Sequence, residues 1–269
     1  MTQNNKQSVW EIVLLARDAK RPKAMDYIPL LIDGFMEMHG DRLYGDDHAL
    51  VGGIGYFNGI AVTVLAQNKG KTLDENLACN FGMMHPEGYR KAMRLAKQAE
   101  KFNRPILTFI DTPGAYPGKG AEERGQASAI AESLKLFATI KVPVIAIVLS
   151  EGGSGGALAL SVANSVIMLE NAVYSILSPE GFASILYKDE SRAKEVAEIM
   201  KMTAYDLKMI DFVDEIITEP KEGAQKDFTV VVKQLIEVID KHLKVHLKKK
   251  ADALIDQRIQ KFRNIGVIQ

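Results

Sequence analysis

Between two apolar segments the chain runs Gly152-Gly153-Ser154-Gly155-Gly156, a stretch with a single side chain larger than hydrogen. Upstream, Pro143 to Leu149 reads as a buried strand. Downstream, Ala157 to Ala163 reads as a helix of small residues. A strand passing directly into a helix requires a sheet on which that helix can pack, which is an α/β architecture. The first helical N–H groups have no internal acceptor and lie at the positive end of the helix dipole. Glycine lets another group approach that backbone closely. Such a junction can hold a phosphate or stabilise an oxyanion. It also suits plain helix-on-sheet packing, and residue type alone weighs the two evenly.

The flanking pattern supports the α/β reading. Trp10 to Lys20 and Ala24 to His39 are expected helices, and residues 2–8 are polar and expected to fray. Leu50 to Phe57, Asn58-Gly59 and Ile60 to Gln67 read as a hairpin, since Asn-Gly supplies the two positive-φ residues of a tight turn. Lys69 to Gly82 reads as a polar loop. Helices are expected at Pro86–Phe102, Ala121–Ile140 and Ser191–Met200. Strands are expected at Pro105–Ile110, Val166–Leu169, Val173–Ile176 and Phe212–Ile217. Ser178-Pro179-Glu180-Gly181 opens a turn or short helix. From Phe228 to about Ile265 one or two long helices follow. The many apolar positions from Val230 to Ile239 suggest a subunit interface.

Composition narrows the function classes. The 269 residues carry 34 Lys+Arg and 34 Asp+Glu, giving net charge +0, so the basic excess of a nucleic-acid binder is missing. The single cysteine, Cys79, cannot form an intrachain disulfide or a four-cysteine zinc site, and is expected to pack rather than react. Cysteine usage fits a reducing compartment. Val142 to Leu149 is far shorter than the ~20 residues of a membrane span. Val9 to Ala16 is interrupted by Glu11, so no secretory leader is expected. The chain reads as cytoplasmic, with no membrane partner.

Several motifs compete with the glycine run. Gly152-x-Ser154-x-Gly156 fits a hydrolase nucleophile elbow, but only His242 and His246 follow it, in a lysine-rich tail that is a poor place for a buried base. Asp111-Thr112-Pro113-Gly114 resembles a GTPase metal turn, yet the chain holds no phosphate loop. Glu122 and Glu123 are helix neighbours that point apart. His39, His48 and His85 lack metal spacing. Asp41, Asp46 and Asp47 read as a solvated acidic loop. Lys241, Lys244, His246 and Lys248 to Lys250 read as a solvated face, or as a patch for CoA phosphates. The loop Asp111 to Gly120 is stiffened by Pro113 and Pro117 and follows a strand end, where α/β proteins place ligands. Two such loops about 40 residues apart in sequence suggest adjacent strands lining one pocket.

Pro86-Glu87-Gly88-Tyr89-Arg90-Lys91-Ala92, Asp111 to Gly118, Gly120 to Gln126, Glu151 to Ala157 and Ser178 to Gly181 together resemble the carboxyltransferase α subunits of bacterial acetyl-CoA carboxylase. The similarity runs from about Trp10 to the C-terminus, without the additional N-terminal helical segment of longer members. It implies a crotonase-like α/β fold of stacked β-β-α units, with an N-terminal helical segment (1–45), a carboxyltransferase core (46–225) and C-terminal helices (226–269). It also implies transfer of the carboxyl group from N-carboxybiotin on a carrier protein to acetyl-CoA, giving malonyl-CoA for fatty acid synthesis. The expected partners are a zinc-ribbon β subunit in an α2β2 heterotetramer, the biotin carboxyl carrier protein and biotin carboxylase, which consumes the ATP. Zinc belongs to the β subunit alone. By the same resemblance, the N–H groups of Gly155 and Gly156 form an oxyanion hole for carboxybiotin. Gly114, Ala115, Gly152, Gly153 and Ser154 line the substrate site. The alternatives are a stand-alone acyl-CoA hydratase or isomerase using Glu151 or Glu180 as base, and a non-catalytic scaffold.

Overall fold

Asn58 and Gly59 take positive φ (46° and 77°) and close the expected hairpin, with Phe57 opposite Ile60 and Leu50 opposite Gln67. The computed structural model describes residues 7–266, so most of the stretch expected to fray lies outside the described residues. The elements in chain order are α1 (Val9–Ala16), α2 (Ala24–Leu31), β1 (Asp33–Glu37), β2 (Leu50–Phe57), β3 (Ile60–Gln67), α3 (Leu73–Ala78), α4 (Pro86–Lys101), β4 (Ile106–Thr112), α5 (Lys119–Glu123), α6 (Gln126–Thr139), β5 (Val144–Gly153), α7 (Ser154–Ser161), β6 (Ser165–Leu169), β7 (Val173–Ser175), α8 (Pro179–Tyr187), α9 (Ala193–Ile199), α10 (Ala204–Met209), β8 (Glu215–Ile217), α11 (Phe228–His246) and α12 (Ala251–Asn264).

One eight-stranded sheet in the order β1-β2-β3-β4-β5-β6-β8 organises the chain, with β7 paired to the far end of β5. The β1–β2–β3 edge is antiparallel, and β3, β4, β5, β6 and β8 run parallel. Every residue of β4 is buried, as expected for a parallel strand covered on both faces. Helix α4 packs on β2 and β3, α7 packs on β4 and β5, and α6 joins α4 to α7. Phe57, Phe109 and Phe137 are among the large side chains fully excluded from solvent in this core.

Four expectations are corrected. The helix expected to reach His39 stops at Leu31, and Asp33–Glu37 pairs with β2 as an edge strand. Pairing with the sheet overrides the helical spacing of Phe35 and Met36. Glycine at 53 permits this, because a Cβ there would lie 2.3 Å from the Met36 carbonyl oxygen. The stretch read as a polar loop contains α3, begun by a capping box between Thr72 and Glu75. The helix expected over Ala121–Ile140 is broken at Gly125, which takes φ +85° between α5 and α6. Finally, most of the apolar run suggested as an interface is used inside the chain: Val231, Val232, Leu235 and Ile239 of α11 are buried in its core, and Val230 stays exposed.

Candidate active site

Strands β4 and β5 are neighbours, in register from Ile106 opposite Val144 to Ile110 opposite Val148. Their C-terminal ends therefore deliver the Pro113–Gly118 loop and the glycine run side by side. The contact between them is backbone on backbone. A Cβ at Gly153 would lie 2.0 Å from the Pro113 carbonyl oxygen, and one at Gly156 would lie 2.6 Å from both the Ala115 nitrogen and the Gly114 carbonyl carbon. Only hydrogen fits at these two positions. Gly155 differs: its Cβ would meet only Ile130, at 3.5 Å. Gly152 is close to the Tyr174 ring, with a Cβ only 2.2 Å from it.

The loop is held on its own side. The Thr112 hydroxyl donates to the Gly114 carbonyl (2.7 Å) and accepts from the Gly114 N–H (3.1 Å). The Gln126 amide donates to the Tyr116 and Met84 carbonyls, tying the loop to α6. Strand β5 continues four residues past the expected Leu149, so the glycine run begins as strand and turns into α7 at Ser154. Ser154 takes φ +50°, the left-handed region that disfavours side chains. Among the described residues no side chain caps α7, whose N-cap is Gly153. Its first-turn N–H groups, including those of Gly155 and Gly156, thus have neither an intrahelical acceptor nor a cap. The structure brings Gly153 and Gly156 against the backbone of Pro113, Gly114 and Ala115 beyond the ends of β4 and β5, beside a small crevice lined by Pro113, Glu151, Gly152 and Gly153.

Behind the crevice runs a chain of charges that residue-by-residue reading missed. Lys69 Nζ lies 2.8 Å from Asp111 Oδ1 and 2.9 Å from Glu151 Oε2. Arg17 Nε lies 2.9 Å from Glu151 Oε1, and its terminal nitrogens bind both oxygens of Glu180 at 2.7 and 3.2 Å. Helix α1 brings Arg17 there by packing Val13 and Ala16 against Val173, Ala197 and Met202. Burial disfavours the charge on Lys69, but the Asp111 and Glu151 carboxylates outweigh it and raise the ammonium above its usual range. Burial likewise opposes ionisation of Glu151, and Lys69 and Arg17 prevail, holding its carboxyl below the usual range. Hydrogen bonds from Arg17 hold Glu180 low as well. The only signals for this network were an Asn68-Lys69-Gly70 step after an apolar run and a lone arginine at a helix end.

This geometry bears on the competing motifs. Glu151 and Glu180 are ion-paired and low in pKa, whereas a general base poised for neutral pH must be raised. His242 and His246 are not in a solvated tail. Their ring nitrogens sit 2.7 Å from the Ser165 hydroxyl, and burial pushes His246 down to about 4. Both are thus engaged by Ser165. Among the described residues no histidine hydrogen-bonds Ser154. Replacing Ser154 with alanine, which bears the same backbone strain, is therefore expected to leave turnover within a few-fold of the parent. A fluorophosphonate probe should leave the parent unlabelled. The acidic loop is solvated only in part: Asp41 and Asp47 are buried, Asp41 accepting from the N–H groups of Leu43, Tyr44 and Gly45 and Asp47 from His85 N–H, whereas Asp46 is exposed and binds Lys91. Cys79 is buried, which pushes its thiol up. Lys249 binds Gln257, and Lys248 and Lys250 are exposed. Among the described residues, no group of three or more His, Cys, Asp or Glu could hold a metal ion, and no helix is long and apolar enough to cross a membrane.

The family described as acetyl co-enzyme A carboxylase carboxyltransferase-like matches residues 2–266. The chain belongs to this family. It is 54% identical over 266 residues to the acetyl-coenzyme A carboxylase carboxyl transferase subunit alpha of Clostridium acetobutylicum, covering 99% of this chain and 97% of that protein. Identity to the same-named subunit of Staphylococcus aureus strain Newman is also 54%, over 96% of this chain and 82% of that one. Among solved structures, transcarboxylase 12S, with methylmalonyl-coenzyme A and methylmalonic acid bound, superposes with a TM-score of 0.68 at 21% identity. That match covers 91% of this chain and 46% of the transcarboxylase chain, so this chain spans about half its length. A Pseudomonas malonate decarboxylase hetero-tetramer in complex with coenzyme A gives 0.65 at 18% identity, over 80% and 86% of the two chains. The fold of this carboxyltransferase-family chain is crotonase-like.

Proposed function

We propose that the chain is the carboxybiotin half of a split carboxyltransferase, moving a carboxyl group from N-carboxybiotin on a carrier protein to acetyl-CoA to form malonyl-CoA. The observation that carries this reading is the uncapped first turn of α7, held against the Gly114–Ala115 backbone by a glycine that no side chain can replace. Breaking the bond between the ureido nitrogen and the carboxyl carbon leaves negative charge on the ureido oxygen. N–H groups of Gly155 and Gly156 stabilise that charge without a titrating side chain. Gly114, Ala115, Gly152, Gly153 and Ser154 form the surrounding wall. The partner is a zinc-ribbon β subunit in an α2β2 assembly, which binds acetyl-CoA and stabilises its enolate. The biotin carboxyl carrier protein and biotin carboxylase complete the system, in the cytoplasm, and zinc belongs to the β subunit.

The low carboxyl pKa values of Glu151 and Glu180 favour this reading over a stand-alone hydratase, which needs one of them as a base. The deciding experiment is the reverse reaction: biocytin-dependent malonyl-CoA decarboxylation by this chain alone and with its cognate β subunit. Activity is expected only in the mixture. An inactive mixture with verified assembly would overturn the proposal, and hydratase activity of the chain alone would establish the alternative.

A further inference from the structure

Gln67 ends β3 with its side chain wholly excluded from solvent. A buried carboxamide needs partners for both ends. Gln67 Nε2 donates to the Gly156 carbonyl at 2.8 Å, and Oε1 accepts the Asp111 N–H at 3.2 Å. Those two partners belong to the two halves of the crevice. Gly156 lies in the first turn of α7, and Asp111 lies near the end of β4, where the Pro113–Gly118 loop begins. One side chain thus spans from the third strand to both loops, while Lys69, two residues on, holds the Asp111 carboxylate from the other side.

We infer that Gln67 is a positioning residue for the oxyanion hole, fixing Gly156 against the Gly114–Ala115 backbone. This rests on the carboxyl-transfer reading above. Gln67 touches no reacting atom. Its amide N–H and carbonyl set the distance between the helix turn that holds the N–H donors and the loop that walls the crevice. Asparagine is one methylene too short to bond both partners. Glutamate keeps the length and the acceptor for Asp111, but as a carboxylate it faces the Gly156 carbonyl with no proton to donate. Protonation restores a donor, and burial raises a carboxyl pKa by as much as several units, into a range an assay can reach.

The test uses the complex assembled with the cognate β subunit, assayed for biocytin-dependent malonyl-CoA decarboxylation per mole of complex. Gln67→Leu is expected to lower kcat on the order of 10²-fold, the scale of a small misplacement in an active site, with KM for malonyl-CoA unchanged. Gln67→Glu is expected to be similarly impaired at pH 8. Its kcat relative to the parent should then rise about tenfold or more by pH 6 as the new carboxyl takes up a proton. A purely structural role would not produce that rise. A pH-independent ratio for Gln67→Glu would overturn the assignment. So would loss of activity that only tracks loss of assembled complex, or failure of both variants to assemble at any pH. The parent complex, run alongside, reports on carboxyl transfer itself. The variant-to-parent ratio reports on Gln67 alone.

Discussion

Replacing Gly156 with valine is expected to lower carboxyl transfer by roughly 10²–10³-fold, the cost of losing one oxyanion-hole donor, while the complex still assembles. The added Cβ meets backbone atoms, namely the Ala115 nitrogen and Gly114 carbonyl carbon at 2.6 Å and the Gly114 oxygen at 3.0 Å. The loop cannot retreat freely, because Thr112 binds Gly114 and Gln126 binds Tyr116. The first turn of α7 must move instead, and its N–H groups with it. Overpacking of this kind costs about 1–3 kcal/mol, against the roughly 5–15 kcal/mol that holds a domain together. The fold therefore survives a change that removes the catalytic geometry. Gly155→Ala is the contrast. Its Cβ meets only Ile130 at ordinary contact distance, its N–H is retained, and alanine is no worse than glycine in a helix. Activity within a few-fold of the parent and an undiminished Tm are expected. Size-exclusion chromatography of each complex with its steady-state rate decides the matter. A fully active Gly156→Val complex would remove the oxyanion assignment, and a parallel loss of assembly and rate would favour the scaffold reading.

What could be read from the residues alone follows from how local each signal is. The hairpin at Asn58-Gly59, the buried strands and the strand-to-helix glycine junction are set by neighbours in sequence, and all three stand in the structure. Edge strand β1 could not be read that way. Its apolar spacing is helical, and only the distant glycines of β2 make room for it. The capping box of α3 was a legible local signal, masked by the polar, glycine-bearing context around it. The crevice glycines were identifiable, but not which of them is indispensable. The difference between Gly155 and Gly156 lies in what faces each across space. Arg17, Gln67 and Lys69 were silent because their partners are 134, 89 and 82 positions away. Their importance is tertiary, and one sequence carries no record of tertiary pairing.

Replacing Lys69 with methionine is expected to destabilise the chain by about 3–5 kcal/mol, the usual cost of removing one partner from a buried ion pair. The lysine side chain is 12% exposed, and its ammonium bridges Asp111, whose side chain is 0% exposed, and Glu151, at 14%. Methionine replaces its volume but leaves two carboxylates near each other, with Arg17 still paired to Glu151 and Lys23 the remaining cation close enough to act on both. For a chain of this size the change corresponds to a fall in Tm of roughly 6–20 °C. Its pH dependence separates charge from packing. In the parent, the raised Lys69 pKa stabilises the fold fully below the ordinary value of 10.5, and that contribution is lost as pH rises through the higher folded value. The lowered Glu151 pKa stabilises the fold above the ordinary value of 4.5, and that contribution is lost as pH falls through the lower folded value. In the variant, repulsion between the carboxylates is relieved when Glu151 takes up a proton. The Tm gap between parent and variant should therefore be widest near neutral pH and narrow at about pH 4.5 and below. Adding Asp111→Asn to Lys69→Met removes one of the two facing charges and should recover part of the loss at neutral pH. A gap that is constant across the range, unmoved by Asp111→Asn, would show that the lysine stem fills space and that its charge does not hold the ends of β4 and β5 together.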